Sequence, residues 1–177
     1  MRTVIVYESM YGNTRSVAEA IGQGLHEIDT VVVTVAGADA VVIGGADLIV
    51  VGGPTHAFGL SRPQTRAQAV DNAHHAGSTL TVEPGAGGDG IREWLESADL
   101  DGALTASFDT RVRAAGLIGH ASTKISRILR SRGCRMICDP QSFFVTKQNI
   151  LLDGELDRAR EWGELLRDRT AAAAAQY

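Results

Sequence analysis

Three short aliphatic runs, Thr3-Val4-Ile5-Val6-Tyr7, Val31-Val32-Val33-Thr34-Val35 and Asp47-Leu48-Ile49-Val50-Val51, constrain the fold more than any other feature of this chain. None alternates apolar with polar residues, so none suits a sheet with one face in water. Strands of this kind need cover on both faces, as in a parallel sheet held between layers of helices. Between the first two runs, Val17, Ile21, Leu25 and Ile28 recur at helical spacing, with Arg15, Glu19, Gln23 and Glu27 on other faces. That is a crossover helix. Gly52-Gly53-Pro54 then breaks the third run.

The alternation continues along the chain. Ser61 as N-cap and Pro63 in the first turn predict a small-residue helix to about Ala76, stopped by Gly77. Residues 78–90 are rich in glycine and predict a mobile loop without regular structure. Ile91, Trp94 and Leu95 mark a short helix, residues 103–108 a fourth strand, and Ala121, Ile125, Ile128 and Leu129 another helical face. Strand material follows from Cys134 to Val145, interrupted by Pro140. A last helix starts near Asp153, with Glu155 and Asp157 in its first turn and Arg167 and Arg169 in its last, matching the helix dipole at both ends. The pattern predicts an α/β fold with a doubly wound, five-stranded parallel sheet over residues 1–170, and an Ala-rich tail at 171–177 that frays. In such a sheet, function sits at the carboxyl ends of the strands.

At 177 residues, 44% hydrophobic and 21% charged, the chain suits one compact domain. Its net charge of -4 disfavours nucleic acid as a partner and is compatible with docking of basic partners. Cys134 and Cys138 predict a reduced, buried pair rather than a disulfide framework. No charged segment followed by a long apolar core opens the sequence, which predicts a cytoplasmic protein with no membrane span. His74 and His75 point in different directions on a helix and make a poor metal pair, so no metal site is expected.

Ser9-Met10-Tyr11-Gly12-Asn13-Thr14 follows the first strand and opens the first helix, the arrangement of a phosphate-binding loop. Gly12 permits close backbone approach, and the hydroxyls of Ser9 and Thr14 and the amide of Asn13 add donors. A plain strand-to-helix turn wants the same residues. No Gly-Lys-Ser/Thr ending supports a nucleoside triphosphate loop, and no third glycine completes a dinucleotide fingerprint.

Two more segments leave the carboxyl ends of strands: Pro54-Thr55-His56-Ala57-Phe58-Gly59, and Phe108-Asp109-Thr110-Arg111 with its continuation to Gly119. With these three segments in order, nearly the whole chain resembles the flavodoxins, and in particular the flavodoxin-like proteins of actinobacterial type. The resemblance implies the strand order 2-1-3-4-5 with helices on both faces, and FMN as cofactor. It implies that Ser9, Met10, Tyr11, Gly12, Asn13 and Thr14 hold the FMN phosphate. Pro54, Thr55, His56, Ala57, Phe58 and Gly59 would clasp the isoalloxazine ring from one side, and Phe108, Asp109, Thr110 and Arg111 from the other. Gly59 would offer a backbone contact near the flavin N5, and Phe58 would cover the dimethylbenzene edge or cap the core.

The chain departs from the family pattern in two places. Tyr11 stands where many flavodoxins carry a small hydroxylated residue, which removes one phosphate hydrogen bond. The third segment lacks the tyrosine that stacks on the flavin in many flavodoxins, and Arg111 and Arg113 replace acidic surroundings. A cation near the reduced ring is worth about 1 kcal/mol or more, which implies a less strongly reducing flavin. Arg111 has a second reading, as a surface partner of Asp109. Arg113, Lys124, Arg127, Arg130 and Arg132 read as a solvated basic face.

The resemblance implies an electron carrier between a reductase and an acceptor, with no catalytic side chain. The alternative is an FMN-dependent NAD(P)H:quinone or protoporphyrinogen oxidoreductase on the same scaffold. A flavin-free interaction domain and a phospho-acceptor receiver share the topology. The three segments disfavour the first, and the lack of an acidic pair after the first strand disfavours the second.

Overall fold

The computed structural model describes residues 1–56, 59–113 and 119–175. Every strand pairing in its sheet is parallel. Strands β1 (Arg2–Tyr7), β2 (Asp29–Thr34), β3 (Leu48–Pro54), β4 (Leu104–Val112) and β5 (Arg135–Met136) lie in the order 2-1-3-4-5, and β6 (Gln141–Val145) also pairs with β4. Pro140 separates β5 from β6, as its missing N–H requires. β5 pairs with Leu104 and Thr105 at one end of β4, and β6 with Phe108 to Val112 at the other. The fifth position of the sheet is thus filled by two pieces of chain.

The pleat sends alternate residues to two separate cores. Val4, Val6, Ile49 and Val51 face one layer, where α4 (Ile91–Ser97) contributes Ile91, Trp94 and Leu95 and α5 (Ala121–Ser131) contributes Ala121, Ile125 and Leu129. A four-residue α2 (Ala40–Ile43) adds Ile43 to that layer. Ile5, Tyr7, Val50 and Phe108 face the other layer, built from α1 (Asn13–Gly24) and α6 (Glu155–Ala174) with Val17, Ile21, Ala159, Trp162 and Leu166. The strands are apolar on both faces because both faces are covered.

α1 and α6 approach until their backbones touch. A β-carbon at Gly24 would overlap the Arg160 carbonyl and come 3.0 Å from the Gly163 Cα, and one at Gly163 would overlap the Ile21 carbonyl. Glycine on each helix permits this seam.

Several local expectations change. α3 (Pro63–His74) is capped at Arg62, not Ser61, and ends two residues before the expected Ala76. Ser61 is buried and accepts a hydrogen bond from Arg66 Nη1 at 2.8 Å. The alanine run expected to fray is helical through Ala174, in keeping with alanine's propensity, so Arg167 and Arg169 lie before the last turn. Residues 78–90 carry no helix or strand but are pinned over the first loop: the Glu83 N–H donates to the Met10 carbonyl at 2.9 Å, and Ala86 packs with Met10 and Ala69. Both cysteines are free and buried, and burial pushes the Cys138 thiol up to about 11. Among the described residues, no helix is long and apolar enough to cross a membrane.

Candidate functional site

The turn between β1 and α1 has Gly12 at its apex, at φ 93°, a left-handed conformation that other residues adopt only under strain. Gly12 is the N-cap of α1, and no side chain caps the helix. Its first-turn N–H groups therefore point into the space above the turn, with the positive end of the helix dipole behind them. The Gly12 N–H donates to Ser9 Oγ at 3.1 Å, which leaves the Ser9 hydroxyl proton free for another acceptor.

Other side chains expected to face an anion are committed to the scaffold. Thr14 Oγ1 shares a 2.7 Å hydrogen bond with Thr110 Oγ1, and Asn13 Nδ2 donates to the Asn149 carbonyl at 2.8 Å. Both tie the turn to neighbouring chain, one to β4 and the other beyond β6. The Tyr11 hydroxyl donates to the Ala69 carbonyl on α3 at 2.6 Å, and Met10 is buried against Ala69 and Ala86. The groups at this turn left open to an anion are thus the backbone donors and Ser9. Glu83 stands nearby, 3.5 Å from where a Gly12 β-carbon would be, and Arg15 balances it at 3.3 Å.

Pro54 ends β3 and places Thr55 against the next strand. The Thr55 N–H donates to the Thr110 carbonyl at 2.9 Å, and Thr55 Oγ1 donates to Asp109 Oδ2 at 3.0 Å while accepting the Ala121 N–H at 2.9 Å. Asp109 Oδ2 also accepts the N–H and the hydroxyl of Ser122, at 2.9 and 3.0 Å. A threonine and a buried aspartate thereby cap the first two N–H groups of α5 and fasten it to the ends of β3 and β4. His56 and Gly59 close a tight hairpin by exchanging backbone hydrogen bonds of 2.8 Å. Ala57 and Phe58 lie outside the described residues.

The third segment differs most from expectation. Phe108 and Asp109 lie inside β4, not in a loop. The Phe108 ring is fully buried, edge-on to Phe143 and Trp162 at 6.2 Å, beneath Gly52, where a β-carbon would overlap it. It is a core residue and not a ring contact. Asp109 turns its carboxylate to α5, so its role is to position that helix. Arg111 does not pair with Asp109; its Nε donates to Ser142 Oγ at 3.1 Å, and its guanidinium lies 4.9 Å from the centroid of the Phe144 ring. Arg113 is exposed, as a solvated face requires, with its guanidinium 5.5 Å from the centroid of the same ring. Lys124, read from sequence as part of a solvated face, instead packs on Gly59. Helical spacing gives no sign of that contact, which crosses from α5 to the second segment.

Behind the hairpin, Arg66 is only 2% exposed and pairs with Glu93 at 3.2 Å, and Glu8 Oε2 accepts the Ile91 N–H at 2.9 Å. Gly90 fits here because a β-carbon would come 2.7 Å from Arg66 Nη1. Burial favours a charged Glu93 less, yet the Gly90 N–H and Arg66 override it and hold its carboxyl below the usual range. The same cluster sets the environment of His56: burial pushes its imidazole down and Arg66 adds to this, against an upward pull from Glu8. The folded state therefore disfavours protonated His56. Its contribution to stability is full above the ordinary value of 6.5, falls as the pH drops through that value, and levels off once the folded protein is itself protonated. Urea midpoints at pH 7.5 and 5.5 should converge in His56→Gln relative to the parent chain.

A cavity of about 470 Å³ opens on the other side of Ser9, between the end of β2, residues 83–89 and α4. Asp39, Glu83, Asp89 and Glu93 stand in its walls, and none of the described residues of the Pro54 and Phe108 segments lines it.

The flavodoxin family profile matches residues 5–108, more than half of the chain. The chain belongs to the flavodoxin family. Flavodoxins bind FMN and transfer electrons, and FMN is the cofactor of this member too. No curated protein sequence matches the chain. Among solved structures, a flavodoxin from the domain Archaea superposes with a TM-score of 0.68 at 20% identity, covering 97% of this chain and 99% of that one. Oxidised flavodoxin 1 from Bacillus cereus gives 0.62 at 19% identity, covering 97% and 98%. The rubredoxin oxygen:oxidoreductase of Desulfovibrio gigas gives 0.62 at 14% identity over 98% of this chain but 37% of that one. These likenesses establish the fold.

The residues of this flavodoxin fit FMN at the phosphate end. An uncapped twelve-residue helix with a left-handed glycine at its entry presents backbone donors and partial positive charge to a dianion. The Thr14–Thr110 hydrogen bond fixes that turn beside the ends of β3 and β4, where the rest of the molecule would extend.

Proposed function

We propose that this flavodoxin is an electron carrier that accepts electrons from a reductase and passes them to a protein or quinone acceptor. FMN would be held with its phosphate on the first turn of α1 and its ring beside the His56–Gly59 hairpin. The observation that carries the reading is the uncapped α1 terminus at Gly12, tied by Thr14 to Thr110 so that anion site and hairpin share one edge of the sheet. Bound FMN supplies the redox chemistry. The chain's own groups do the rest: first-turn N–H groups and Ser9 bind the phosphate, Thr55 and Asp109 hold the ring end in place, and the field of nearby charges sets the affinity for each redox state.

Titration with FMN, FAD and riboflavin tests the reading. FMN is expected to bind at least about a hundredfold more tightly than riboflavin, since the lost phosphate contacts are charge-assisted hydrogen bonds. Equal affinities would overturn the phosphate assignment. Reduction of the loaded protein only through an added reductase supports a carrier. Rapid NAD(P)H oxidation with a quinone and no reductase would assign the oxidoreductase activity instead.

A further inference from the structure

Lys124 stands in the first turns of α5, and the register of that helix is fixed at its start by Thr55 and Asp109. One turn further on, its side chain runs across the face of Gly59. A β-carbon at Gly59 would come 2.7 Å from Lys124 Cε and 2.8 Å from Cδ, and would overlap Nζ. The Gly59 N–H and carbonyl are both taken by His56. The ammonium therefore lies against a closed hairpin, on the side that only glycine leaves open.

Two facts bear on this cation. Among the described residues, no carboxylate lies within 4.0 Å of its nitrogen, whereas Arg15, Arg66, Arg158, Arg160 and Arg167 each have an acidic partner. Arg111 and Arg113, the cations expected from sequence to face the ring, are drawn to Phe144. Lys124 is also half-buried, so its charge is less screened than that of an exposed lysine.

We propose that Lys124 sets the preference of this site for reduced over oxidised FMN, an inference that rests on the placement of the ring beside the hairpin. The oxidised ring is neutral and the reduced ring carries a negative charge at neutral pH. A fixed ammonium at the hairpin attracts the second and is nearly indifferent to the first. Lys124 is a tuning residue in this role, and it moves no proton.

The test measures affinities for oxidised FMN and, anaerobically, for dithionite-reduced FMN in the parent chain, Lys124→Met and Lys124→Arg. Methionine keeps the apolar stem over Gly59, and the urea midpoint checks that the fold is unchanged. Lys124→Met is expected to bind reduced FMN about tenfold more weakly and oxidised FMN within about threefold of the parent. A tenfold change in that ratio lowers the two-electron midpoint potential by about 30 mV. Lys124→Arg should restore the ratio, and 1 M salt should shrink the difference between parent and methionine variant. An unchanged ratio in Lys124→Met, with FMN still bound, overturns the tuning role alone. Failure of the parent chain to bind FMN overturns the reading under Proposed function and this inference with it.

Discussion

Gly163→Val destabilises the protein by about 3 kcal/mol, the upper end of what overpacking ordinarily causes. The obstacle is backbone on both sides. The new β-carbon would overlap the Ile21 carbonyl, and Gly24 on the facing helix has no side chain that could turn away. The helices must separate, and separation loosens a core in which Ile21, Trp162 and Leu166 pack together. In a chain of this length a loss of that size lowers Tm by roughly 6–12 °C. Gly37→Ala is the control: its β-carbon meets only side-chain atoms of Val33 and Thr34, from 3.7 Å outward. Thermal melts should separate the two variants, and similar Tm values would show that the helix seam yields without strain.

Asp109→Ala acts at the site as well as on stability. Its carboxylate accepts from Thr55 Oγ1 and from the N–H and hydroxyl of Ser122, and the residue is fully buried. Alanine leaves those donors without their acceptor at the positive end of α5, for a loss of about 3 kcal/mol. The start of α5 then no longer fastens to β3 and β4. FMN affinity should fall at least about tenfold, because the hairpin and Lys124 lose their common anchor. Asp109→Asn retains one carbonyl acceptor and should fall between parent and alanine in both readouts. A variant that loses stability yet binds FMN as tightly as the parent would show that the anchor does not organise the ring end.

The glycine turn before the first helix was readable in the residues themselves. Gly12 is needed because the entry to α1 is left-handed, and a helix start without a side-chain cap leaves backbone donors open to an anion. The roles of Asn13, Thr14 and Tyr11 were not readable, because each hydroxyl or amide was equally able to face a ligand. Their partners Asn149, Thr110 and Ala69 are distant in sequence, and only the assembled fold brings them close.

At the other end of the site, Phe108 sits in a motif that looks like a loop but belongs to β4. Its inward direction follows from the pleat and from the space left by Gly52 on the adjacent strand. That space is a property of two strands, and neither shows it alone.

What the sequence by itself determined is the layered α/β architecture and the position of a glycine turn between the first strand and the first helix. Apolar runs of two-faced strands, helical periodicity between them and a glycine at a strand-to-helix turn are local patterns with few physical outcomes. Tertiary structure decided where the charged side chains around the ends of β3 and β4 lie. Asp109 was turned to the start of α5, Arg111 and Arg113 to Phe144, and Lys124 to Gly59. A long charged side chain has many positions of similar energy until neighbouring elements remove all but one. Those neighbours come from β3, β6 and α5, whose relative placement is set by packing across the whole sheet.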